Sequence, residues 1–373
     1  MSKKVLINGR FTSHHFAIRN VIYSIAKQLV EDPQLDVYIL LNKDSDISDF
    51  EKLNIKILKN PCPADSAGKN HLFTMFVLPW ILLFHRFDLV IYPQICIFLF
   101  NPCKSLLYIH DLIEYHVYSQ SRKKMLFRKI AYPYVCRKAD AIVAISENTK
   151  KDIIDIFGTR ENKIIVAYDG KSEDLKPIDR KEAETYIKEK YGVENYIYYI
   201  GYITHPQKNL IYLINEFAVF HKNHPDYQLV FAGPRGNHAE MILSKVKELG
   251  LSDVFKYLGK VPYEDLPYLY SACQVFCFPS LYEGFGMPVL EAMSCGALVI
   301  TSNRSSLPEI MPYEDSLVDP ETDGELSQKL EQMINSDRTG LSARNIERSN
   351  EFSWHKHGLI LRNLIWNIFG NRI

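Results

Sequence analysis

The sequence lacks most of the features that would commit it to a large charged or lipid partner. Its 373 residues carry 44 Lys and Arg against 44 Asp and Glu, so the formal net charge is zero and no bulk attraction for nucleic acid is built in. It also lacks a long apolar run. The most apolar stretch, Leu72 to Phe87, contains Pro79, His85 and Arg86 and is shorter than the roughly 20 residues that cross a bilayer. No positively flanked apolar start with a small-residue cleavage site follows Met1. Strand-like Val5-Leu6-Ile7 comes almost at once, which argues against a secretory signal and sets the expectation of a cytoplasmic protein. Seven cysteines (Cys62, Cys96, Cys103, Cys136, Cys273, Cys277 and Cys295) are odd in number, sit mostly in apolar runs and lack the paired short spacings of a zinc site, so they read as buried, reduced thiols. Short-period repeats and low-complexity tracts are missing too, which leaves solenoid and disordered architectures without support.

What is present is alternation. Short β-rich apolar runs at Val5–Ile7, Val37–Leu41, Ile55–Leu58, Leu89–Tyr92, Leu106–Ile109, Ala141–Ile145 and Ile164–Ala167 are separated by longer amphipathic segments, the signature of parallel βα units. From Glu173 to Lys190 the chain turns charged, and the pattern then restarts at Tyr196–Ile200. It continues through Gln228–Ala232, Val254–Leu258, Val275–Phe278, Leu298–Thr301 and Ser316–Val318. This predicts an α/β protein of two doubly wound domains, 1–178 and 179–352. The closing segment, 353–373, has apolar residues at helical spacing. The charge is segregated along the chain: residues 1–178 hold 25 basic and 19 acidic side chains, and 179–373 hold 19 and 25. A basic first half suits an anionic surface or acceptor. In doubly wound sheets ligands bind beyond the carboxyl ends of the strands, so the loops there are where chemistry is expected.

The most informative such loop runs from Phe278 to Met293. It follows a strand and opens a helix; Gly284 and Gly286 let the backbone approach a ligand, and Pro288 suits a first helical turn. The exposed amides and positive dipole end of such a helix can hold a pyrophosphate. Glu283 lies in the loop and Glu291 about one turn into the helix, so one ligand could meet both. A capped structural helix with a solvated Glu291 has the same spacing. The residues Glu283 to Glu291, with Ala292 to Glu309 after them, resemble the E-x7-E region of the retaining glycosyltransferase family 4. The likeness extends over Gly201–Asn209, Phe231–Gly233 and Tyr257–Ala272.

That resemblance implies a GT-B fold, two Rossmann-like domains facing a cleft, with the last helix crossing back to the first domain. It implies a nucleotide-sugar donor held mainly by the second domain, around Gly201, Val261, Gly284, Phe285, Gly286, Met287, Pro288, Val289 and Glu291. Glu291 would contact the donor ribose and Glu283 the transferred sugar. Lys208, at a strand-to-helix turn, would neutralise the departing diphosphate; a solvated helix-start lysine is the bland reading. Many relatives have an arginine after the glycine where this chain has Tyr202. His110, just after a strand, would reach the donor sugar, with Asp111 able to orient it or cap the next turn; otherwise His110 is a structural histidine. In the loop from Asn8 to Arg19, Gly9 and Arg19 fit the family's glycine-rich turn. Phe16 replaces an expected glycine, and His14 and His15 are candidates to line an acceptor pocket.

Two stretches bear on membranes. Ser121–Lys129 mixes five cations with apolar anchors and Leu72–Arg86 is apolar with a basic end, so each could lie against anionic lipid, or be a solvated face and a core helix. The expected activity is metal-independent retaining transfer of a hexose or deoxyhexose, mannosyl- or rhamnosyl-type, to a saccharide or lipid-linked saccharide of a bacterial surface polysaccharide. The nucleotide sugar is a substrate and no cofactor or nucleic acid is expected. Membrane contact would be peripheral at the inner face. The rivals are a nucleotide-sugar epimerase or phosphorylase of the same fold, or a non-catalytic nucleotide-sugar-binding partner.

Overall fold

Strands such as Leu89–Tyr92, Ala141–Ala144 and Val275–Phe278 are apolar at every position and buried at every position. They need cover on both faces, which helical crossovers between parallel strands supply. The computed structural model, which describes residues 2–10, 16–62, 67–117 and 122–370, contains two such sheets. The chain divides into two units: Met1–Leu112 with Gln120–Gly170 and Ser353–Ile373, and Ile113–Ser119 with Lys171–Phe352.

In the first unit, β1 (Lys3–Asn8), β2 (Leu35–Asn42), β3 (Lys56–Asn60), β4 (Leu89–Tyr92), β5 (Lys104–Ile109), β6 (Ala141–Ala144) and β7 (Ile164–Val166) form one sheet. Their order is β3-β2-β1-β4-β5-β6-β7, all parallel. The second unit has β8 (Tyr196–Ile200), β9 (Gln228–Ala232), β10 (Phe255–Gly259), β11 (Val275–Phe278), β12 (Val299–Ser302) and β13 (Leu317–Val318). These run β10-β9-β8-β11-β12-β13, again parallel. Each sheet reverses direction once, at β1/β4 and at β8/β11. Successive crossovers there leave on opposite faces and open a crevice at the carboxyl ends.

The helix Trp354–Ile368 belongs to the first unit. Ser353 caps it, its side chain accepting from the Lys356 amide, and Leu361, Leu364, Ile365 and Trp366 pack with Ile22, Ile25, Ala26 and Leu29 of the helix Phe16–Leu29. The main run of the second unit begins at Lys171, ahead of the expected 179, and the unit also takes in Ile113–Ser119. The Lys171 amide donates to the Phe352 carbonyl (3.2 Å) and the Ile178 amide to Ser271 Oγ (3.0 Å), so the charged stretch from Glu173 is fastened to that unit. Among the described residues all seven cysteines are unpaired thiols, and no helix is long and apolar enough to cross a membrane.

One close approach fixes where the first loop of the second unit leaves its sheet. Gly233, at the end of β9, has φ +116°, and a Cβ there would stand 2.0 Å from the carbonyl oxygen of Gly201 at the end of β8. The Gly201 amide donates to Ala232 and the Gly233 carbonyl accepts from Tyr257 Oη at 2.8 Å, so neither backbone can retreat without losing a hydrogen bond. Gly233→Ala is therefore expected to destabilise the protein by at least about 2 kcal/mol through strain and overpacking. An unchanged melting temperature would show that this contact relaxes freely.

Candidate functional site

The reversal at β8/β11 sets two loops side by side in the second unit. The loop after β8 runs to Asn209, and the Gln207 carbonyl accepts from the amide of Leu281 in the loop after β11 (2.8 Å). Gln207 Nε2 donates to the Tyr282 carbonyl at 3.1 Å. This pairing carries Lys208 onto Glu283: Nζ to Oε1 is 2.6 Å, with only 13% and 11% of the two side chains exposed. Lys208 Nζ also lies 4.9 Å from the ring centre of Phe278, whose face favours a cation. The bland reading of Lys208 as a solvated helix-start lysine fails on this burial.

Glu283 is held from behind. Its amide donates to Ser305 Oγ (3.0 Å), while its carbonyl accepts from the hydroxyl of Ser305 and lies 3.0 Å from that of Ser306. Ser306 Oγ also lies 2.7 Å from the Phe285 carbonyl. The Ser302–Ser306 stretch thus staples the ligand loop to β12. In the sequence that stretch is part of the resemblance and leans towards mannosyl- or rhamnosyl-type transferases, with no structural task assigned to it.

Gly286 then starts the helix Met287–Ser294 with φ +118°, and no side chain caps it. A Cβ there would meet Leu307 Cδ2 at 2.8 Å. Among the described residues the amides of Gly286 and Met287 have no acceptor, so two donors and the positive end of the helix dipole remain for an anion. Phe285 and Val289 are buried, Phe285 against Phe352 with ring centres 5.8 Å apart, so of these two residues only the main chain is left to face a ligand. Val261, after β10, is half-buried, as are Gly284, Met287 and Pro288. Glu291 Oε2 accepts from Tyr270 Oη at 2.9 Å. Its residue keeps an accessible edge, but the carboxylate lies among protein atoms, and burial pushes it up to about 7 against the lowering effect of that hydrogen bond.

Tyr202, at the position where the resemblance leads one to expect an arginine, is exposed. Arg235, beside this loop through the Ile203–Arg235 bridge, is engaged by Glu240 and by the ring of Tyr257.

In the first unit, His110 follows β5. Its Nε2 lies 2.6 Å from the Pro93 carbonyl, which only accepts, so Nε2 carries a proton. The ring lies roughly parallel to Tyr108 at 6.2 Å, and Tyr108 in turn is stacked with His357 of the last helix at 5.9 Å. Neither Tyr108 nor His357 was singled out by sequence reasoning: they are 249 positions apart, and nothing local marks them as a pair.

The N-terminal candidates disperse. Gly9 is packed so that a Cβ would meet Ile39 and Leu41 at 2.9 Å. Arg19 is occupied by Asp49 at 3.0 Å and by Asp46. His14 and His15 lie outside the described residues.

The comparisons follow the two units. Glycosyltransferase Family 4 matches residues 18–172 and Glycosyl transferases group 1 matches 180–351. The chain belongs to this family of glycosyltransferases, with the GT-B fold. It is similar to the O-antigen chain mannosyltransferase B of Escherichia coli, 34% identical over 222 residues, 58% of each chain. It is also similar to the serotype-specific mannosyltransferase WbdA of Escherichia coli, 29% identical over 264 residues, which are 68% of this chain and 32% of WbdA. The matches thus span about three-fifths and one-third of these relatives' lengths. A glycosyltransferase from Rickettsia africae superposes over 99% of both chains with a TM-score of 0.76 at 17% identity.

The elevated Glu291 carboxyl sets a pH test. Its folded value, about 7, lies above the unfolded 4.5, so ionising it opposes folding, and that cost grows as pH rises from about 4.5 through 7. Glu291→Gln should therefore be more stable than the wild type at pH 8, by about 1–3 kcal/mol, with the advantage vanishing near pH 4.5. Melting curves at the two pH values check this; a pH-independent difference would contradict it.

Proposed function

We propose that this chain is a retaining, metal-independent hexosyltransferase of bacterial O-antigen or related surface-polysaccharide synthesis. It moves mannose, or less favourably a rhamnosyl-type sugar, from a nucleoside-diphosphate donor to a saccharide or lipid-linked saccharide. The observation that carries the reading is the buried Lys208–Glu283 pair beside a helix start with two unused amides. The names of the mannosyltransferases it resembles favour the sugar.

In this reading the diphosphate lies on the amides of Gly286 and Met287, and Lys208 stabilises the charge that grows on it as the glycosidic bond loosens. These groups supply the neutralisation that a divalent ion gives elsewhere. Glu283 orients the transferred sugar, Glu291 holds the ribose, and His110 accepts from a sugar hydroxyl through Nδ1. The acceptor hydroxyl attacks from the face the leaving group departs, its proton passing to a donor phosphate oxygen. Lys208→Ala and Glu283→Ala should each lower turnover of radiolabelled nucleoside-diphosphate mannose by at least about 100-fold. Near-wild-type rates in a folded variant would remove that residue from the mechanism, and release of altered nucleotide sugar or of sugar phosphate would replace transfer by epimerisation or phosphorolysis.

The reading includes a peripheral contact with anionic membrane, through the first unit. The apolar stretch at 72–87 buries one side, through Phe73, Leu78 and Leu82, and leaves the other open. It folds as Ala67–Phe76 and Leu78–His85, leaving Leu72, Phe76, Trp80, Leu83 and Phe84 exposed, Phe84 by 79%. The Ile97 amide donates to His71 Nδ1 (3.3 Å) and Tyr134 Oη to the Leu99 carbonyl (3.2 Å). Exposed Leu99 and Phe100 therefore lie between those helices and the helix Arg122–Lys138, which adds exposed Leu126, Phe127 and Ile130 among Lys123, Lys124 and Lys129. Apolar anchors ringed by cations fit an anionic bilayer surface. Co-sedimentation with vesicles containing phosphatidylglycerol should fall at least about tenfold in Lys123→Glu/Lys124→Glu/Lys129→Glu, and equal binding to neutral vesicles would reject the electrostatic part.

A further inference from the structure

Glu291 is buried at a cost that the fold does not recover. The ionisable groups within its field are Tyr198, Tyr263, Tyr270 and Cys295, and among the described residues no cation offsets its charge, so burial drives the carboxyl up to about 7. Among those residues its hydrogen bond is the one from Tyr270 Oη to Oε2 at 2.9 Å. Oε1 makes none, so the open edge of the residue is where a ligand hydroxyl can reach it. A carboxylate kept in place against stability belongs to a ligand site. The hydroxyl of Tyr270 is of no use to the core either, since a phenylalanine would fill the same space.

Tyr270 is fixed on every side. Its ring is fully buried and meets Tyr198 (5.7 Å, 73°) and Phe276 (5.4 Å, 77°) edge-on. Its helix, Leu266–Ala272, is tied down at both neighbouring residues. The Leu269 carbonyl accepts from Tyr196 Oη at 2.7 Å, and Ser271 Oγ donates to the carbonyl of Cys295 (3.3 Å), just past the helix that carries Glu291. Tyr196, Tyr198 and Phe276 come from β8 and β11, the strands whose reversal makes the site. The Tyr270 hydroxyl therefore cannot swing aside. The terminal torsion of a glutamate is broad and two-fold, so a carboxylate with no partner has no set direction. Once Oε2 is held, Oε1 has one.

We propose that Tyr270 is a positioning residue for donor recognition: by holding Oε2 it aims Oε1 at a hydroxyl of the donor's ribose, so a residue that does not touch the ligand makes the site prefer ribonucleoside over deoxyribonucleoside diphosphates. The inference rests on the reading of Glu291 as the ribose contact and adds the residue that sets its direction. A carboxylate turned away from the hydroxyl loses the bond steeply with angle, and a ligand without the hydroxyl leaves Oε1 facing no donor.

Tyr270→Phe removes one oxygen and keeps the ring contacts. Isothermal titration of UDP and of GDP, each beside its 2′,3′-dideoxy analogue, measures the preference directly. The wild type should bind the better of the two ribonucleotides at least about tenfold more tightly than its dideoxy analogue. In Tyr270→Phe the preference should fall to about threefold or less, with the dideoxy affinity within about twofold of the wild type. In a Glu291→Ala background the same substitution should change neither affinity by more than about twofold, because Tyr270 acts through Glu291. A Tyr270→Phe protein with the wild-type preference overturns the inference. So does one that weakens both nucleotides equally, or that still has its effect once Glu291 is gone, since those mark a tyrosine that only supports the fold. A wild type with no preference removes the ribose contact and the inference with it, which sets the failure of that reading apart from the failure of Tyr270 alone.

Discussion

An ammonium and a carboxylate 2.6 Å apart, both nearly closed to water, are expensive to assemble, and removing one partner strands the other. The Lys208–Glu283 pair exists because the sheet of the second unit reverses between β8 and β11, so the two residues arrive from loops that leave adjacent parallel strands. A small set of contacts in that unit holds the pair's geometry. Gln207 ties the loops together, Ser305 and Ser306 hold the backbone of Glu283 from β12, and Gly201 and Gly233 set the exit of the first loop by backbone contact. The pair is therefore fixed before any ligand arrives, the condition under which a cation is worth most to a developing negative charge.

The first unit reaches preorganisation by a different route. It fixes tautomers: Pro93 takes the proton of His110, Tyr168 takes that of His357, and Tyr108 completes the chain of donors. Each assignment follows from a carbonyl that can only accept. The last helix is part of this arrangement as well as of the core, since it delivers His357, Leu361 and Ile365 along one buried face.

Much of this was legible in the sequence. The thirteen strands of the described residues lie where apolar β-rich runs occur, and the central ones stand out most, because a strand buried on both faces leaves no room for polar alternation. Glu283, Gly286, Pro288 and Glu291 were readable as a helix start because glycine, proline and acid occupy positions with different backbone demands. Other features were not legible, for physical reasons. The contact of Tyr108 with His357 is made by tertiary folding across most of the chain. The elevated carboxyl of Glu291 comes from burial that only the folded chain creates, against the lowering effect of Tyr270, a residue in another helix. Leu72 to Phe87 read equally well as core or as surface, since hydrophobicity does not say which side of a helix finds a neighbour.

The central claim is that a diphosphate sits where the helix Met287–Ser294 begins. A crystal structure with a bound nucleoside diphosphate tests it most directly. The account predicts phosphate oxygens at about 2.7–3.2 Å from Lys208 Nζ and from the amides of Gly286 and Met287. A diphosphate seated on other elements, with this helix start left bare, would contradict it.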